Sequence, residues 1–373
     1  MKIFFLANSA WYLDNFRRST LLRFAELHDI TCLHPNVDQG DELHTLNVKT
    51  KPFFLDATSA SPVKESWSLI CLTLLLLVDR PSVLFSFNPK TNLYALIACW
   101  LLRIPCVPNV SGVGVASQLK GPVGKLYRSL AGFFYRRAAH VFFQNQDDYQ
   151  TFTKLRWVKP DQAEVIPGSG VDLVGFQPHN KEDTTFRFLM AARLITPKGV
   201  IEYLEAARKV VASGHACEFL LAGIQDNSSR AIDAKTLSDL KDEPNIDFIG
   251  HVADMPELLK DIDCVVLPSY YPEGIPRSLI EAAAAGKMII TTDTPGCREV
   301  VKSGENGLLV APKDVSQLAE AMLHLIRLPE IQQRAMSAAS RKLAESCFDE
   351  NIVIERYLDV AESLKPGLFM RQA

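Results

Sequence analysis

Short apolar runs of four to seven residues alternate along the whole chain with longer stretches in which apolar positions recur every three or four residues. In the first half the short runs predict strands over 3–7, 30–34, 83–87, 105–109, 140–144 and 163–166. In the second half they predict strands over 186–192, 218–222, 246–249, 264–267, 288–292 and 307–310. Strands separated by helical periods imply parallel sheets covered by helices, because a parallel neighbour is reached only through a crossover. Two such series predict two α/β domains. The pattern breaks at 172–185, where Gly175, Pro178, His179, Asn180 and a charged stretch read as a hinge-like linker. The expected organisation is a first domain over 1–172, a linker over 173–185, a second domain over 186–346 and a terminal helix over 347–373 that packs back on the first domain.

The most apolar segment, 69–78, is half the length of about 20 residues that a bilayer crossing needs. It reads as a core helix between strands, the alternative being a face that dips into lipid. The opening Met1-Lys-Ile-Phe-Phe-Leu-Ala7 is soon followed by Asn8, Asp14, Arg17 and Arg18, so it reads as a buried strand and not as a signal peptide. A chain of 373 residues can supply two cores, and 47% hydrophobic with 22% charged residues is ordinary globular composition. The eight cysteines form no Cys-x2-Cys pair, which suggests buried packing thiols and neither a zinc site nor a disulfide framework.

Charge is divided unevenly. Residues 1–172 carry a net +4 and the remainder −7. From Arg80 to Gln146 there is no acidic residue at all, while Arg80, Lys90, Arg103, Lys120, Lys125, Arg128, Arg136 and Arg137 are present. Such a stretch suits an anionic membrane surface or a diphosphate acceptor, and equally a solubilising rim of an α/β domain. The acidic second half, a pI near 6.3 and the lack of a binding module argue against nucleic acid as a partner.

The candidate chemistry lies in the second half. Glu273 and Glu281 are eight residues apart in Tyr270-Tyr-Pro-Glu-Gly-Ile-Pro-Arg-Ser-Leu-Ile-Glu281, between the strand Cys264-Val-Val-Leu and a helix read over 275–285 with Pro276 in its first turn. If most of that spacing is helical, the carboxylates stand roughly 10 to 12 Å apart, wider than a glycosidase pair and so unsuited to two-carboxylate hydrolysis. An ionised Glu281 can accept from both hydroxyls of a ribose diol, while Glu273 lies at a helix mouth that favours anions. Arg193 and Lys198, in Ala191-Ala-Arg-Leu-Ile-Thr-Pro-Lys-Gly199, follow the strand over 186–192. Two fixed cations there could meet the charge that gathers on a departing diphosphate, without a metal.

Arg193 with Lys198 and Glu273 with Glu281 match the Arg-x4-Lys and Glu-x7-Glu pattern of the family 4 retaining glycosyltransferases, and the chain resembles that family over nearly its whole length. Asn8-Ser-Ala-Trp-Tyr, Gly168-Ser-Gly-Val-Asp172, Phe248-Ile-Gly-His251 and Asn306-Gly-Leu-Leu-Val310 agree with it in order. The likeness is to bacterial enzymes that extend undecaprenyl-diphosphate-linked oligosaccharides. It implies the GT-B fold, two Rossmann-like domains facing across a cleft. It also implies retaining, metal-independent transfer of a hexose or N-acetylhexosamine from a nucleotide sugar, expected to be UDP-linked, to a polyprenyl-diphosphate saccharide, with no cofactor. The resemblance assigns Arg193 and Lys198 to the diphosphate, Glu273 with Gly274 and Ile275 to sugar and phosphate, Glu281 to ribose, and the Gly250-His251 region to the base. The expected location is cytoplasmic, peripheral on the inner face of the plasma membrane.

Two departures, one metal-like decoy and two rivals complete the expectation. Ser111, in Asn109-Val-Ser-Gly-Val-Gly-Val-Ala116, stands where many members of the family hold a histidine toward the donor sugar, and Asn8-Ser9 replaces a frequent glycine pair. Asp261-Ile-Asp263 has a metal-binding form but directly precedes a buried strand, where acids more often solvate a turn. The rivals are a UDP-sugar 2-epimerase of the same fold and a noncatalytic nucleotide-sugar-binding subunit.

Overall fold

The structure, a computed structural model, describes residues 1–35, 43, 46, 48–55, 61–112, 121–181, 183–226, 228–240 and 243–365. The chain divides into two units, one of Met1–Ser169 with the chain from Asn351 on, the other of Gly170–Glu350.

The first unit is built on a seven-stranded parallel sheet in the order β3-β2-β1-β4-β5-β6-β7. Its strands are β1 (Lys2–Leu6), β2 (Asp29–His34), β3 (Lys49–Pro52), β4 (Val83–Phe87), β5 (Cys106–Val110), β6 (Val141–Phe143) and β7 (Ala163–Val165). The helices are α1 (Ala10–Leu27), α2 (Pro62–Asp79), α3 (Pro89–Leu102), α4 (Gly121–Tyr135) and α5 (Gln146–Lys154). Strand side chains alternate faces, so Phe4 and Leu6 join one core with Leu72 and Ala95, while Ile3 and Phe5 join another with Phe24. β3 was not predicted. Its Lys-Thr-Lys-Pro sequence has no apolar alternation because it is an edge strand paired only to β2, where lysine and proline blunt further pairing. The segment 69–78 lies in α2, and only Leu72 and Leu76 of it are buried; the core-helix reading holds for one face alone.

The second unit has a six-stranded parallel sheet in the order β10-β9-β8-β11-β12-β13. Its strands are β8 (Phe186–Ala191), β9 (Cys217–Ala222), β10 (Ile246–Gly250), β11 (Cys264–Leu267), β12 (Met288–Thr292) and β13 (Gly307–Val310). The helices are α6 (Val200–Ala212), α7 (Ala234–Asp239), α8 (Met255–Lys260), α9 (Arg277–Ala284), α10 (Val315–Arg327) and α11 (Glu330–Leu343). The segment 173–185 is not a free linker. Phe176 is buried in this unit's core, and Arg341 on α11 donates to the carbonyls of Phe176 at 2.7 Å and Leu173 at 3.2 Å. A single aromatic anchor and main-chain bonding leave no periodicity to read in a polar sequence. Residues 347–350 also belong here, since Val171 N donates to Phe348 O at 2.8 Å and Glu350 N to Val171 O at 3.1 Å.

The last helix, α12 (Glu350–Ser363), packs on the first unit's sheet through Val353, Ile354, Tyr357 and Ala361. Tyr357 meets Phe85 edge-on with ring centroids 5.4 Å apart. Of the cysteines, Cys71 is half-buried and Cys347 exposed, so the expectation of buried packing thiols holds for the other six. Cys347 sits on a π-helical turn, Ala344–Phe348, where the chain leaves the second core, and burial cannot be inferred from residue type there.

Candidate active site at the carboxyl ends of β8 and β11

The second sheet changes winding direction between β8 and β11. From β8 the chain moves outward to β9 and β10, then returns to β11 and moves the other way to β12 and β13. Loops leaving the carboxyl ends of β8 and β11 therefore diverge, and such a switch point is where open α/β sheets bind ligands. Both loops carry residues singled out from sequence.

After β8, Leu194 and Ile195 are fully buried, which holds the loop down while the Arg193 side chain stays half exposed. Thr196 N donates to Arg230 O at 2.8 Å and Ile232 N to Leu194 O at 3.0 Å, which ties in the loop that follows β9. A short 3-10 turn, Thr196–Lys198, then presents Lys198. It ends at Gly199, φ +83°, where a Cβ would lie 2.2 Å from Pro268 O. Only glycine permits both that dihedral and that approach. The loop after β11 is stitched to this turn by Tyr270 N, which donates to Pro197 O at 2.9 Å.

Within this frame Lys198 Nζ lies 2.5 Å from Glu273 Oε1, and both side chains are largely buried. Ser269, completely buried, donates its hydroxyl to the same Glu273 oxygen at 2.9 Å and accepts from Tyr271 N at 3.2 Å. The Ser269 carbonyl in turn accepts from the hydroxyls of Thr292, at the end of β12, and Thr294, just beyond it. Gly296 (φ +84°) backs the Glu273 loop so closely that a Cβ would stand 1.6 Å from Gly274 O.

The Tyr271 ring collects three cations: Arg193 at 6.0 Å from its centroid, Lys198 at 5.8 Å and Arg230 at 5.5 Å. These are outer-range cation–π distances, and the ring face is the shared neighbour that keeps three like charges in one place. Asp226, 3.7 Å from Arg193, tempers the cluster. Hydrogen bonding from Ser228 holds its carboxyl below the usual range, with smaller contributions from Arg193 and Arg230.

Glu281 stands on α9, one turn from Arg277, whose Nε donates to it at 2.6 Å. Burial pushes the Glu281 carboxyl above its ordinary range, and Arg277 pulls in the opposite direction. α9 starts at Arg277 with Pro276 as its cap, so Glu273 lies in the loop before the helix and the spacing computed from helical rise does not apply to it. The proline and serine cluster of this string conceals a turn longer than a helix cap requires. Ile275 packs on the second core. Gly250 ends β10, two strands out from β8, where its carbonyl accepts from Gly223 N at 2.8 Å, and His251, which follows, is exposed.

Arg193, Lys198 and Glu273 are thus gathered around Tyr271, while Glu281 stands on the adjacent helix and Gly250–His251 further along the same sheet edge. Asp263 is at the opposite edge, where its Oδ2 accepts from Lys181 Nζ at 2.5 Å and Arg187 N at 2.8 Å. In the first unit, Ser9 caps α1 by accepting from Tyr12 N at 3.1 Å, and Asn8 N donates to Asn88 Oδ1 at 3.2 Å. Val113, Gly114, Val115 and Ala116 of the glycine string, and Lys120, lie outside the described residues. Sequence reasoning missed Ser269, Tyr271, Arg230 and Gly296. The first two sit inside strings already of interest, whereas Arg230 and Gly296 reach the site only through loops after β9 and β12.

Two parallel-sheet α/β units, with clustered cations and a buried carboxylate at the second unit's switch point, define an α/β architecture suited to a phosphate-bearing ligand. The family description "Glycosyl transferases group 1" matches residues 175–343, and "Glycosyl transferase 4-like domain" matches residues 28–168. The chain is 25% identical, over 96% of its length and 97% of the relative's, to the N,N'-diacetylbacillosaminyl-diphospho-undecaprenol alpha-1,3-N-acetylgalactosaminyltransferase of Campylobacter jejuni. It is 27% identical, over 77% of its length and 78% of the relative's, to the UDP-Gal:alpha-D-GlcNAc-diphosphoundecaprenol alpha-1,3-galactosyltransferase of Escherichia coli. Anabaena HepE, solved with UDP and glucose, superposes with a TM-score of 0.79 at 18% identity, covering 97% of this chain and all of that one, which is a likeness of fold. The chain belongs to the family 4 glycosyltransferases and has their GT-B fold.

Proposed function

We propose that the protein transfers a hexosyl or N-acetylhexosaminyl residue, with retention, from a UDP-linked sugar to a polyprenyl-diphosphate-linked saccharide in cell-surface glycan synthesis. The observation that carries this reading is the convergence of Arg193, Lys198 and Glu273 at the carboxyl ends of β8 and β11. The donor diphosphate lies against Arg193 and Lys198. As the bond between the anomeric carbon and the phosphate oxygen breaks, its electron pair leaves with the nucleoside diphosphate, and the two cations stabilise the charge that develops. The acceptor hydroxyl oxygen bonds to the anomeric carbon and its proton passes to the departing phosphate, so no side chain serves as general base. Glu273, held by Lys198 and Ser269, accepts from donor-sugar hydroxyls, and the main chain at Gly274 and Ile275 borders sugar and phosphate. Glu281 accepts from the ribose diol, and Gly250–His251 border the base. No step calls on a metal or a further cofactor.

The two relatives named above act on undecaprenyl-diphosphate-linked sugars, which supports a lipid-linked acceptor for this chain as well. No helix among the described residues is long and apolar enough to cross a membrane. With an acceptor of that class, the protein works on an anionic membrane surface, at the inner face of the plasma membrane.

The test is incubation of the pure protein with UDP- and GDP-sugars and a synthetic polyprenyl-diphosphate saccharide, in the presence of chelator, with the product linkage read by NMR. An axial glycosidic bond formed from an axially linked donor, with release of UDP, is expected. Sugar release or epimerisation without acceptor, or donor binding with no turnover on any acceptor, would overturn the proposal.

A further inference from the structure

We infer that Arg230 is a third phosphate-binding residue of the donor site, directed at the phosphate that carries the sugar, with the Tyr271 ring as its platform. The inference rests on the donor-site reading above and adds to it a residue outside the Arg-x4-Lys pattern, on a different loop.

Arg230 belongs to the loop between β9 and α7, and that loop is fastened to the one after β8. Leu194 N donates to Ile224 O at 3.2 Å and Ile232 N to Leu194 O at 3.0 Å, so both ends of the segment 224–232 hang on one fully buried leucine. Between them Arg230 O accepts from the main-chain N–H of Thr196 at 2.8 Å and from its hydroxyl at 3.2 Å. Thr196 stands between Arg193 and Lys198 in the chain, so the backbone of Arg230 is fixed by the same stretch that presents the other two cations. A solubilising arginine needs no such anchorage.

The guanidinium is thereby held where positive charge is already dense. It lies 5.5 Å from the centroid of Tyr271, whose ring also has Lys198 at 5.8 Å and Arg193 at 6.0 Å. Two carboxylates face these three cations. Glu273 is taken up by Lys198 at 2.5 Å, and Asp226 lies 3.7 Å from Arg193 and accepts from Ser228 N at 2.6 Å. Among the described residues no carboxylate comes within ion-pair distance of Arg230, and its guanidinium donates no hydrogen bond. Gathering three like charges on one ring is unfavourable until an anion binds among them.

The donor supplies two phosphates, and the one next to the sugar fits best. Lys198 is tied to Glu273, the carboxylate that accepts from sugar hydroxyls in the proposed reaction, so the group within reach of all three cations is on the sugar side. That phosphate also gains charge as its bond to the anomeric carbon breaks, which is where a preorganised cation lowers the barrier. A guanidinium suits the position because its planar fork gives two parallel hydrogen bonds to phosphate oxygens while its face stays on an aromatic ring.

The experiment is titration calorimetry of UDP, and of UMP, which lacks the terminal phosphate, into the full chain. Arg230→Gln should raise the Kd of UDP roughly tenfold or more, as the loss of one charged hydrogen bond does, and that of UMP by no more than about twofold. Arg230→Lys keeps the charge without the fork and should fall between wild type and Arg230→Gln for UDP. Tyr271→Leu removes the platform and should raise the UDP Kd about fivefold. The melting temperature should change little in the Arg230 variants, since the guanidinium donates to nothing in the fold; a purely structural role would lower it and weaken UDP and UMP alike. The inference fails if folded Arg230→Gln binds UDP as wild type does, or if UDP and UMP weaken by the same factor. Loss of UDP affinity in Arg193→Met and Lys198→Met with none in Arg230→Gln overturns this inference and leaves the donor-site reading standing, whereas a wild type that binds no UDP overturns both.

Discussion

The Lys198–Glu273 pair joins two loops and, under the proposed function, also contacts the donor; a double-mutant cycle separates the two roles. The side chains meet at 2.5 Å with 13% and 10% exposure, so each neutralises a charge the other would otherwise leave nearly desolvated. Removing one partner of a buried pair typically costs about 3 to 5 kcal/mol, because the survivor remains charged and unmatched. Lys198→Met leaves Glu273 with the Ser269 hydroxyl, which offsets about 1 to 2 kcal/mol of that loss. The net expectation is about 1 to 4 kcal/mol, or roughly 2 to 16 °C in the melting of a unit of this size. Glu273→Gln should destabilise comparably, and the double variant should recover much of the loss, since no unmatched charge remains. Turnover should behave differently. All three variants lose the diphosphate cation, the sugar-side carboxylate or both, so kcat falls by at least about a hundredfold in each and is not restored in the double variant. Calorimetric melting together with a UDP-release assay measures both quantities on the same samples. Recovery of turnover in the double variant, or a Lys198→Met protein as active as wild type, would refute the reasoning.

Two other expectations concern the frame of the site. Gly296→Ala places a methyl 1.6 Å from Gly274 O at a positive φ, so the Glu273 loop must shift. A loss of several kcal/mol is expected, read as a fall in Tm, with donor binding weakened even at temperatures where the protein remains folded. Lys287 is buried, and desolvation lowers its ammonium from its ordinary range to about 8. In the unfolded chain it keeps its proton up to about 10.5, so between these values the unfolded state binds more protons and stability rises with pH. Lys287→Met should raise stability at pH 7 by up to about 3 kcal/mol and abolish that rise, as followed by urea denaturation across pH 7 to about 10.5. An unchanged pH dependence would contradict it.

The fold was legible where strands are buried on both faces. Runs such as Phe4-Phe5-Leu6 and Val265-Val266-Leu267 have no polar face, and their alternation with helical periods conveys both sheets. It failed at β3, which lies on a sheet edge, and at 173–185, where Phe176 and the partly buried Leu173 anchor an otherwise polar string. In the site, Arg193, Lys198, Glu273 and Glu281 could be singled out because each pair is close in sequence, the first within one loop and the second across one loop and into α9. Arg230 could not. It is brought to Tyr271 by main-chain bonds between Thr196 and the loop after β9, a long-range arrangement with no local pattern. Gly296 was hidden for the same reason: its role depends on Gly274, in a different loop.

The central claim is that the carboxyl ends of β8 and β11 hold the diphosphate of the donor. Titration calorimetry of UDP into wild type, Arg193→Met and Lys198→Met tests it without any acceptor or lipid. Each charged hydrogen bond to phosphate is worth about 1.5 to 3 kcal/mol, so each substitution should raise Kd by roughly 10- to 150-fold while circular dichroism stays native. UDP binding that is unchanged in both variants would contradict the account.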